Sequence, residues 1–414
     1  MAFNKKKPGH YTEKKTKKEK KDKRAVLSFE ELPLDDYDKK EKSEIKIKLD
    51  YKRILIAVAI VFVLVLSVFV FFNNGFGGCA GRRGSSNSFS ASVSGTYIDA
   101  GNFRVFDSGL LYSSDTNIVS LDRKGEERYS IQHGFAKPIL KTVGDKAIAY
   151  DLGAVNFKIL GGEGALFSAS MEDKIYLADI ALNGNYAIVT EAKDYNAKLT
   201  AFNAQNKRTY AYSFADYHIT SMALNSDGSG AVVCGVSADN GLQTSIIYVL
   251  DFKSEAPVAK HIVSDDLVYD CDYLSKGSVC AIGEEGAYIC TDSGFSRIQK
   301  VSYNGMSLTA YDFNSDIGVV SLSLSRSGDG SNCNILYVNA KGEIEKTIET
   351  EHGVLSVSTY KNRIAVSSVN TVYLYNNSGE LLESYECKSI KQIRLQSTDG
   401  VYILGLNGIN GVSL

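Results

Sequence analysis

The chain has 414 residues, with 46 Lys and Arg side chains against 48 Asp and Glu, and a formal net charge of −2. This length exceeds what one ordinary hydrophobic core organises, so it favours two or three units or one large repeat architecture. The near-neutral charge argues against a protein that coats nucleic acid, and we expect no nucleic-acid partner.

The N-terminal segment, residues 1–53, is rich in charged side chains and poor in apolar ones. It holds 18 Lys and Arg against 11 Asp and Glu, whereas the remaining 361 residues hold 28 against 37. Such a segment buries too little apolar surface to offset chain entropy, so we predict a disordered tail. The tail either determines topology alone or carries a docking motif around Leu27 to Tyr37 for a cytoplasmic partner.

An uncharged run of nineteen residues follows, from Ile54 to Phe72, and Ser67 is its only polar side chain. As a helix it would span roughly 28 Å, close to the thickness of the hydrocarbon core of a bilayer. The lysines before it predict a cytoplasmic N-terminus and an extracellular C-terminal domain. We therefore predict an uncleaved signal anchor, a single transmembrane helix in the cell membrane with the basic tail near anionic lipid. Two alternatives are a buried globular helix and a lipoprotein-like cleavage box at Phe76 to Cys79.

The composition of residues 73–95, mostly Gly, Ser and Asn, predicts a flexible linker. From residue 96 to 414, strand-sized runs recur about every ten residues between Gly, Asn, Asp and Ser, and no long helical period appears. This pattern is typical of an all-β domain.

A hairpin repeats in this domain, and three copies define it: Val119 to Glu126, Leu336 to Glu343 and Tyr373 to Glu380. Asp or Asn begins each turn, and Gly occupies the position that needs a positive φ. Looser copies occur at 202–207, 250–257, 291–294 and 161–164. Inner strands are predicted to begin near Phe103, Ile139, Ile175, Ile219, Val268, Leu308, Val354 and Ile390.

The spacing of these units is about 40 residues, the size of a four-stranded propeller blade. The last unit supplies only three strands, so we expect a strand within residues 93–99 to complete it and close the ring. The prediction is an eight-bladed β-propeller over residues 96–414, with seven blades as the alternative.

The hairpins resemble the outer turn of quinoprotein-like and outer-membrane-assembly propellers, and Leu224 to Gly228 resembles the inner turn of WD40-like repeats. The whole layout is similar to single-pass membrane proteins of Gram-positive bacteria that carry an extracytoplasmic propeller domain of unknown function. Quinoprotein repeats usually place Trp four residues after the turn Gly, where this chain has Tyr129, Lys346 and Glu383. We therefore expect no quinone cofactor.

The motifs of common enzymes are missing from this sequence. The histidines outside the tail, His133, His218, His261 and His352, lie in no nucleophile elbow or zinc motif. No Cys-x-x-Cys spacing occurs, and Cys271, Cys280 and Cys290 are either buried apolar fillers or disulfide partners across a hairpin. We expect no catalytic residue, metal or cofactor.

Three acidic residues recur near the ends of predicted inner strands: Asp179, Asp272 and Asp312. If the blades are aligned correctly, they line the central channel, where carboxylates would concentrate a cationic ligand. The alternative is that they accept hydrogen bonds from backbone N–H groups of neighbouring turns.

Three functions are compatible with these features. The leading hypothesis is an extracytoplasmic binding or scaffolding module for an envelope protein or glycan, since propellers present loops on a rigid disc. The second is a glycan-active enzyme using carboxylates at the channel mouth. The third is a ligand sensor that signals through the cytoplasmic tail.

Overall fold

The computed structural model of the protein describes residues 88–239, 241–326 and 331–414. These residues form 32 β-strands in eight four-stranded antiparallel sheets and one short 3₁₀-helix, Ser293–Phe295. No helix within these ranges has the length and apolar character needed to cross a membrane. The tail predicted at 1–53 and the apolar run at 54–72 lie outside the described residues.

Each sheet is one blade, and the eighth blade combines both ends of the described chain. Blade one contains β2 (Ile98–Phe106), β3 (Gly109–Ser114), β4 (Asn117–Leu121) and β5 (Glu127–Gln132); blade two β6 (Pro138–Val143), β7 (Lys146–Asp151), β8 (Asn156–Gly161) and β9 (Gly164–Ser170); blade three β10 (Ile175–Ile180), β11 (Tyr186–Ala192), β12 (Tyr195–Phe202) and β13 (Arg208–Phe214); blade four β14 (His218–Leu224), β15 (Gly230–Asp239), β16 (Leu242–Asp251) and β17 (Ala259–Ser264). Blade five contains β18 (Val268–Ser275), β19 (Ser278–Gly283), β20 (Gly286–Thr291) and β21 (Arg297–Ser302); blade six β22 (Ser307–Asn314), β23 (Val319–Ser325), β24 (Cys333–Asn339) and β25 (Ile344–Glu349); blade seven β26 (Ser356–Tyr360), β27 (Arg363–Ser367), β28 (Thr371–Asn376) and β29 (Leu381–Glu386); blade eight β30 (Ile390–Leu395), β31 (Gly400–Gly405), β32 (Ile409–Ser413) and β1 (Phe89–Ala91).

The predicted eight-bladed propeller is confirmed. We name the strands of each blade A to D from the channel outward. Each A strand contacts the A strands of the two neighbouring blades, including β2 with β30, so the ring is closed. Because the strands alternate in direction, the A–B and C–D turns lie on one face of the disc, the AB face. The B–C turns and the D–A crossovers lie on the other, the BC face.

The ring is closed by β1, the outermost strand of the eighth blade. β1 pairs antiparallel with β32, with Phe89 opposite Gly411 and Ala91 opposite Ile409. The closing strand therefore lies before residues 93–99, and the propeller begins before residue 96, so the last part of the predicted linker 73–95 belongs to the sheet. Residues 92–97 instead form the crossover on the BC face that connects blade eight to blade one.

The hydrophobic core is divided into eight clusters, one at each interface between neighbouring blades. A sheet with a neighbour on both faces needs apolar side chains on both faces, and so the middle strands are buried without alternation. Every residue of β3, β19 and β23 is buried. The outer D strands, with one edge in solvent, alternate between exposed and partly buried residues instead, as in β5.

The repeated hairpin is the C–D turn of blades one to seven, and its chemistry is uniform in the three defining copies. Asp122 Oδ1 accepts hydrogen bonds from the N–H groups of Lys124 and Glu126, at 2.8 and 2.9 Å. Asn339 and Asn376 accept equivalent pairs of hydrogen bonds. The turn glycines have φ of 79 to 82°, which a residue with a Cβ rarely adopts.

The cysteines of the fifth blade are buried thiols, so the disulfides considered for Cys271, Cys280 and Cys290 are absent. In the observed register Cys271 faces Ala281, and Cys280 faces Asp272. Cys271 and Cys280 belong to the cores on opposite sides of this blade. Cys387, in the crossover from blade seven to blade eight, is disulfide-bonded.

A glycine substitution tests the closing strand. A Cβ at Gly411 would collide with the Phe89 ring, which Gly125 confines from the other side. We expect Gly411→Ala to lower the free energy of unfolding by about 1–3 kcal/mol, measured by urea titration, because a packed ring cannot move aside without strain. Gly277→Ala is the matched control, since a Cβ at Gly277 meets no atom within 4 Å. Equal stability of the two variants would show that β1 does not hold the ring.

Candidate functional site: the central cavity

A cavity of about 760 Å³ occupies the centre of the disc, at its AB end. Its walls are formed by the last residues of the A strands and by the A–B turns that follow them. Because every blade except the seventh supplies A-strand or A–B turn residues, the cavity brings together side chains that are far apart in sequence. This volume is within the range of small-molecule sites.

The three predicted carboxylates, Asp179, Asp272 and Asp312, all line this cavity. They lie on β10, β18 and β22, the A strands of blades three, five and six. Period-two alternation of the A strands directs every second side chain to the channel, which brings these residues to one enclosure.

Backbone N–H groups are hydrogen-bonded to each of the three carboxylates, as the alternative interpretation expected. The N–H of Leu224, in the next blade, donates to Asp179 Oδ2 at 2.8 Å. The N–H of Thr359 donates to Asp312 Oδ2 at 2.7 Å, again from the next blade. Asp179 and Asp312 therefore connect neighbouring blades. Asp272 differs, because its only donor among the described residues is the N–H of the adjacent Tyr273, at 2.7 Å.

Enclosure by protein raises the pKa of all three carboxyl groups. Desolvation dominates at Asp272 and, together with the repulsive charge of Asp179, raises its pKa to about 7. Desolvation raises the pKa of Asp312 to about 6, although the positive charge of Arg394 opposes it. The pKa of Asp179 is also raised by burial, against the opposing charge of Lys141. The carboxylates are thus held at an electrostatic cost that a cation would relieve.

Basic side chains on other A strands share the cavity, and sequence analysis missed them. Arg104, Lys141 and Arg394 come from blades one, two and eight. Lys141 is the only charged residue of β6, whereas Arg104 shares β2 with Asp99 and Arg394 shares β30 with Lys391, so no common charge pattern in the sequence distinguishes them. Arg394 Nη1 lies 3.4 Å from Asp312 Oδ1, and Arg394 Nε donates to the carbonyl of Phe103 at 3.3 Å.

The positive charges are adjacent around the ring, and so are most of the negative ones. Blades eight, one and two supply Arg394, Arg104 and Lys141. Blades three, five and six supply the acidic side chains, blade five also supplies the exposed Lys276 from its A–B turn, and blade four supplies the neutral Ala223. Burial and the nearby charge of Arg104 lower the pKa of Arg394 to about 10. The cavity therefore has a positive side and a negative side.

A fourth carboxylate, Asp270, is held within the wall. Its Oδ1 accepts from the Ser221 hydroxyl at 2.7 Å, and its Oδ2 accepts from the Tyr311 hydroxyl, also at 2.7 Å. This bonding joins blades four, five and six, so we assign Asp270 a structural role. Among residues 88–239, 241–326 and 331–414, no group of three or more His, Cys, Asp or Glu side chains is placed to hold a metal ion.

The BC face has a different character, because apolar side chains are exposed on its loops. They are large residues at the tips of B–C turns and in D–A crossovers, between 39 and 65% exposed: Tyr97, Leu152, Tyr195, Leu242, Leu355, Val369 and Leu406. On the AB face, the comparable side chains of the described residues are fewer: Leu182, Val258, and Ile344 and Leu381 at the first positions of their D strands. A groove of about 670 Å³ crosses the BC face at blades two to four, lined by Leu152, Tyr176 and Tyr195.

The chain belongs to a family of unknown function, DUF5711, whose model matches residues 83–414. The match covers the whole propeller. No curated protein matches the chain.

Solved structures of low sequence identity share the fold. Sqt1 of Saccharomyces cerevisiae is 10% identical with a TM-score of 0.53, over 79% of this chain and 100% of that one. The C-terminal WD40 domain of Sif2 is 11% identical with a TM-score of 0.53, over 78% and 96%. BamB from Moraxella catarrhalis is 13% identical with a TM-score of 0.49, over 78% and 99%. The first two likenesses support the WD40-like propeller fold expected from the turn at Leu224 to Gly228.

The charge of Asp272 makes stability depend on pH. Its pKa is about 7 in the folded chain and about 4 when unfolded, so folding takes up a proton and stability falls as pH rises through this window. The substitution Asp272→Asn removes the carboxyl group and with it this decrease in stability at high pH. We expect it to increase the free energy of unfolding by roughly 1–3 kcal/mol at pH 8 and to change it little at pH 4, measured by urea titration at both values. The exposed Asp145→Asn should change neither. A gain for Asp272→Asn that does not depend on pH would contradict the assignment.

Proposed function

We propose that this chain displays its propeller on the outer side of the cell membrane as a binding module, and that the apolar BC face docks an envelope protein. The observation that carries the proposal is the concentration of exposed Leu, Val and Tyr side chains on the loops of that face. A face with many exposed apolar side chains is typical of interaction sites in soluble domains. A ring closed by eight cores presents these loops on a rigid frame, so little ordering entropy opposes binding.

The chemistry of the BC face favours a protein over a glycan. Five of the seven exposed side chains on that face are aliphatic, and aliphatic side chains supply apolar contact area without hydrogen bonds. A sugar presents hydroxyl groups that need polar partners, and burying them against Leu and Val would leave them unsatisfied. A crosslinking experiment must therefore distinguish a protein partner from a glycan.

The membrane location rests on the sequence and on one structural feature. The apolar run at 54–72, preceded by the excess of lysines, is the pattern of a signal anchor with a cytoplasmic N-terminus. The disulfide at Cys387 fits an extracytoplasmic domain, since disulfides form and persist in oxidising compartments.

The glycan-active enzyme is less well supported. Glycosidases use two carboxyl groups on opposite sides of the scissile bond, one to donate a proton and one to act as base or nucleophile. Asp179 and Asp312 are each hydrogen-bonded by the backbone of the next blade, which commits them to holding the ring. Asp272 is then the one of the three carboxyl groups left for catalysis, and a glycosidase needs two.

Labelling with a membrane-impermeant maleimide tests the topology. A cysteine introduced at the exposed Ser378, in a C–D turn, should be labelled in intact cells. A cysteine introduced at Ser28, in the tail, should be labelled only after the cells are permeabilised, because the bilayer separates the two. The parent chain gives the background from its own cysteines. The reverse pattern would contradict the proposed orientation.

Site-specific photocrosslinking tests the docking face. We expect p-benzoylphenylalanine at Val369 or Leu406 to capture the same protein in intact cells, and the same group at Leu166, an exposed D-strand residue, to capture none of it. Leu355→Ser, in the crossover that enters blade seven on the same face, should reduce the yield at both probe positions severalfold, because it removes apolar contact area. The matched control Leu182→Ser, on the AB face, should leave the yield unchanged. An adduct that a glycosidase removes, or equal capture at Leu166, would contradict protein docking at this face.

A further inference from the structure

We propose that the central cavity binds a small zwitterion, such as an amino acid or a short peptide. Its anionic group would lie at Arg104 and Arg394, and its ammonium group at Asp179 and Asp272. This inference concerns the AB end of the channel and a small ligand, so it is independent of the docking proposed for the BC face.

The positive side of the cavity has capacity to bind an anion. Among the described residues, the Arg104 guanidinium makes one hydrogen bond, from Nε to the carbonyl of Gly101 at 2.8 Å, which leaves its Nη donors available. Arg394 is tied to Asp312 and to the carbonyl of Phe103. The two guanidinium groups lie on neighbouring blades and repel each other, and a carboxylate between them would replace that repulsion with charge-assisted hydrogen bonds.

The negative side has the complementary property. Asp179 and Asp272 repel each other; Lys141 opposes both charges, and Arg104 also opposes the charge of Asp179. Asp272 Oδ1 accepts one backbone N–H, and its other carboxylate oxygen accepts no hydrogen bond from the described residues. An ammonium group at this position would supply donors to the unused oxygen and neutralise the excess negative charge.

A zwitterion fits better than a simple ion because both like-charged pairs lie in the same enclosure. A cation alone would satisfy Asp179 and Asp272 but would be repelled by Arg104 and Arg394. An anion alone would meet the opposite difficulty. A ligand that carries both charges relieves both repulsions at once, and the volume of about 760 Å³ admits a short peptide.

Calorimetric titration of the purified full-length chain with glycine, diglycine, triglycine and tetraglycine tests this proposal. These probes keep the two end charges and differ in the distance between them by about 3.3 Å per residue. We expect one length to bind most tightly, because the two charged subsites are fixed by the blades. Acetylation of its amino end, or amidation of its carboxyl end, should each weaken binding at least tenfold.

Variants then assign the subsites. Arg104→Gln should weaken the best glycine oligomer at least tenfold and abolish the effect of amidation, whereas Asp272→Asn should abolish the effect of acetylation. Arg363→Gln and Asp145→Asn, which change charges outside the cavity, are the matched controls and should bind as the parent does. Thermal melts of each variant establish that it is folded. The proposal is overturned if no oligomer binds, or if binding survives Arg104→Gln and Asp272→Asn unchanged.

Discussion

Burial of both faces of every blade is the constraint on which the rest of this molecule depends. A four-stranded sheet of this size cannot bury its apolar side chains alone, and each blade shares one cluster of buried residues with the blade on either side. A linear stack would leave two sheets with one face exposed. Closing the stack into a ring removes those faces, and a three-residue strand, β1, supplies the last pairing.

The same constraint produces the central cavity and its unusual charges. A strands from eight sheets converge on one axis, and their channel-facing side chains meet in an enclosure where solvent is limited. Charges in such a place are costly unless they are paired. Two of the acidic residues offset that cost by accepting hydrogen bonds from the next blade, so the residues that line the cavity also fasten the ring. Asp272 and Arg104 make few such contacts, and this distinguishes residues available to a ligand from residues committed to the fold.

The repeated turn explains why so much of the fold could be predicted from sequence. Asp122, Asn339 and Asn376 each place a side-chain oxygen over the following backbone N–H groups, and Gly three residues later takes the left-handed conformation. This chemistry is local, so the turn motif is visible in the sequence, and the number of its copies indicates the number of blades. The closing strand could not be located in the same way. Its three residues, Phe89–Ala91, are too few to show alternation. Their position depends on the glycines that leave space for the Phe89 ring, and these glycines are distant in sequence.

The cavity was only half predictable, for a reason that lies in the geometry of the ring. Asp179, Asp272 and Asp312 share a position near the ends of their strands, and aligning the blades was enough to bring them together. Arg104, Lys141 and Arg394 occupy comparable positions, but a basic residue in a strand is usually a solvated surface charge, and β2 and β30 each contain a second charged residue.

The contrast between the two faces of the disc bears on how one fold can serve two recognition tasks. Loops on the BC face expose aliphatic side chains over a broad area, which suits a large partner that excludes water by contact. The AB end of the channel gathers opposed charges in a small volume, which suits a small ligand that each charge can orient. The A strands connect these regions, since each begins at the BC face and all blades except the seventh supply A-strand or A–B turn residues to the cavity. A ligand that drew the positive and negative sides together would act on all of these strands, and the rigid closed ring would carry that change to the loops only as a small shift of whole blades.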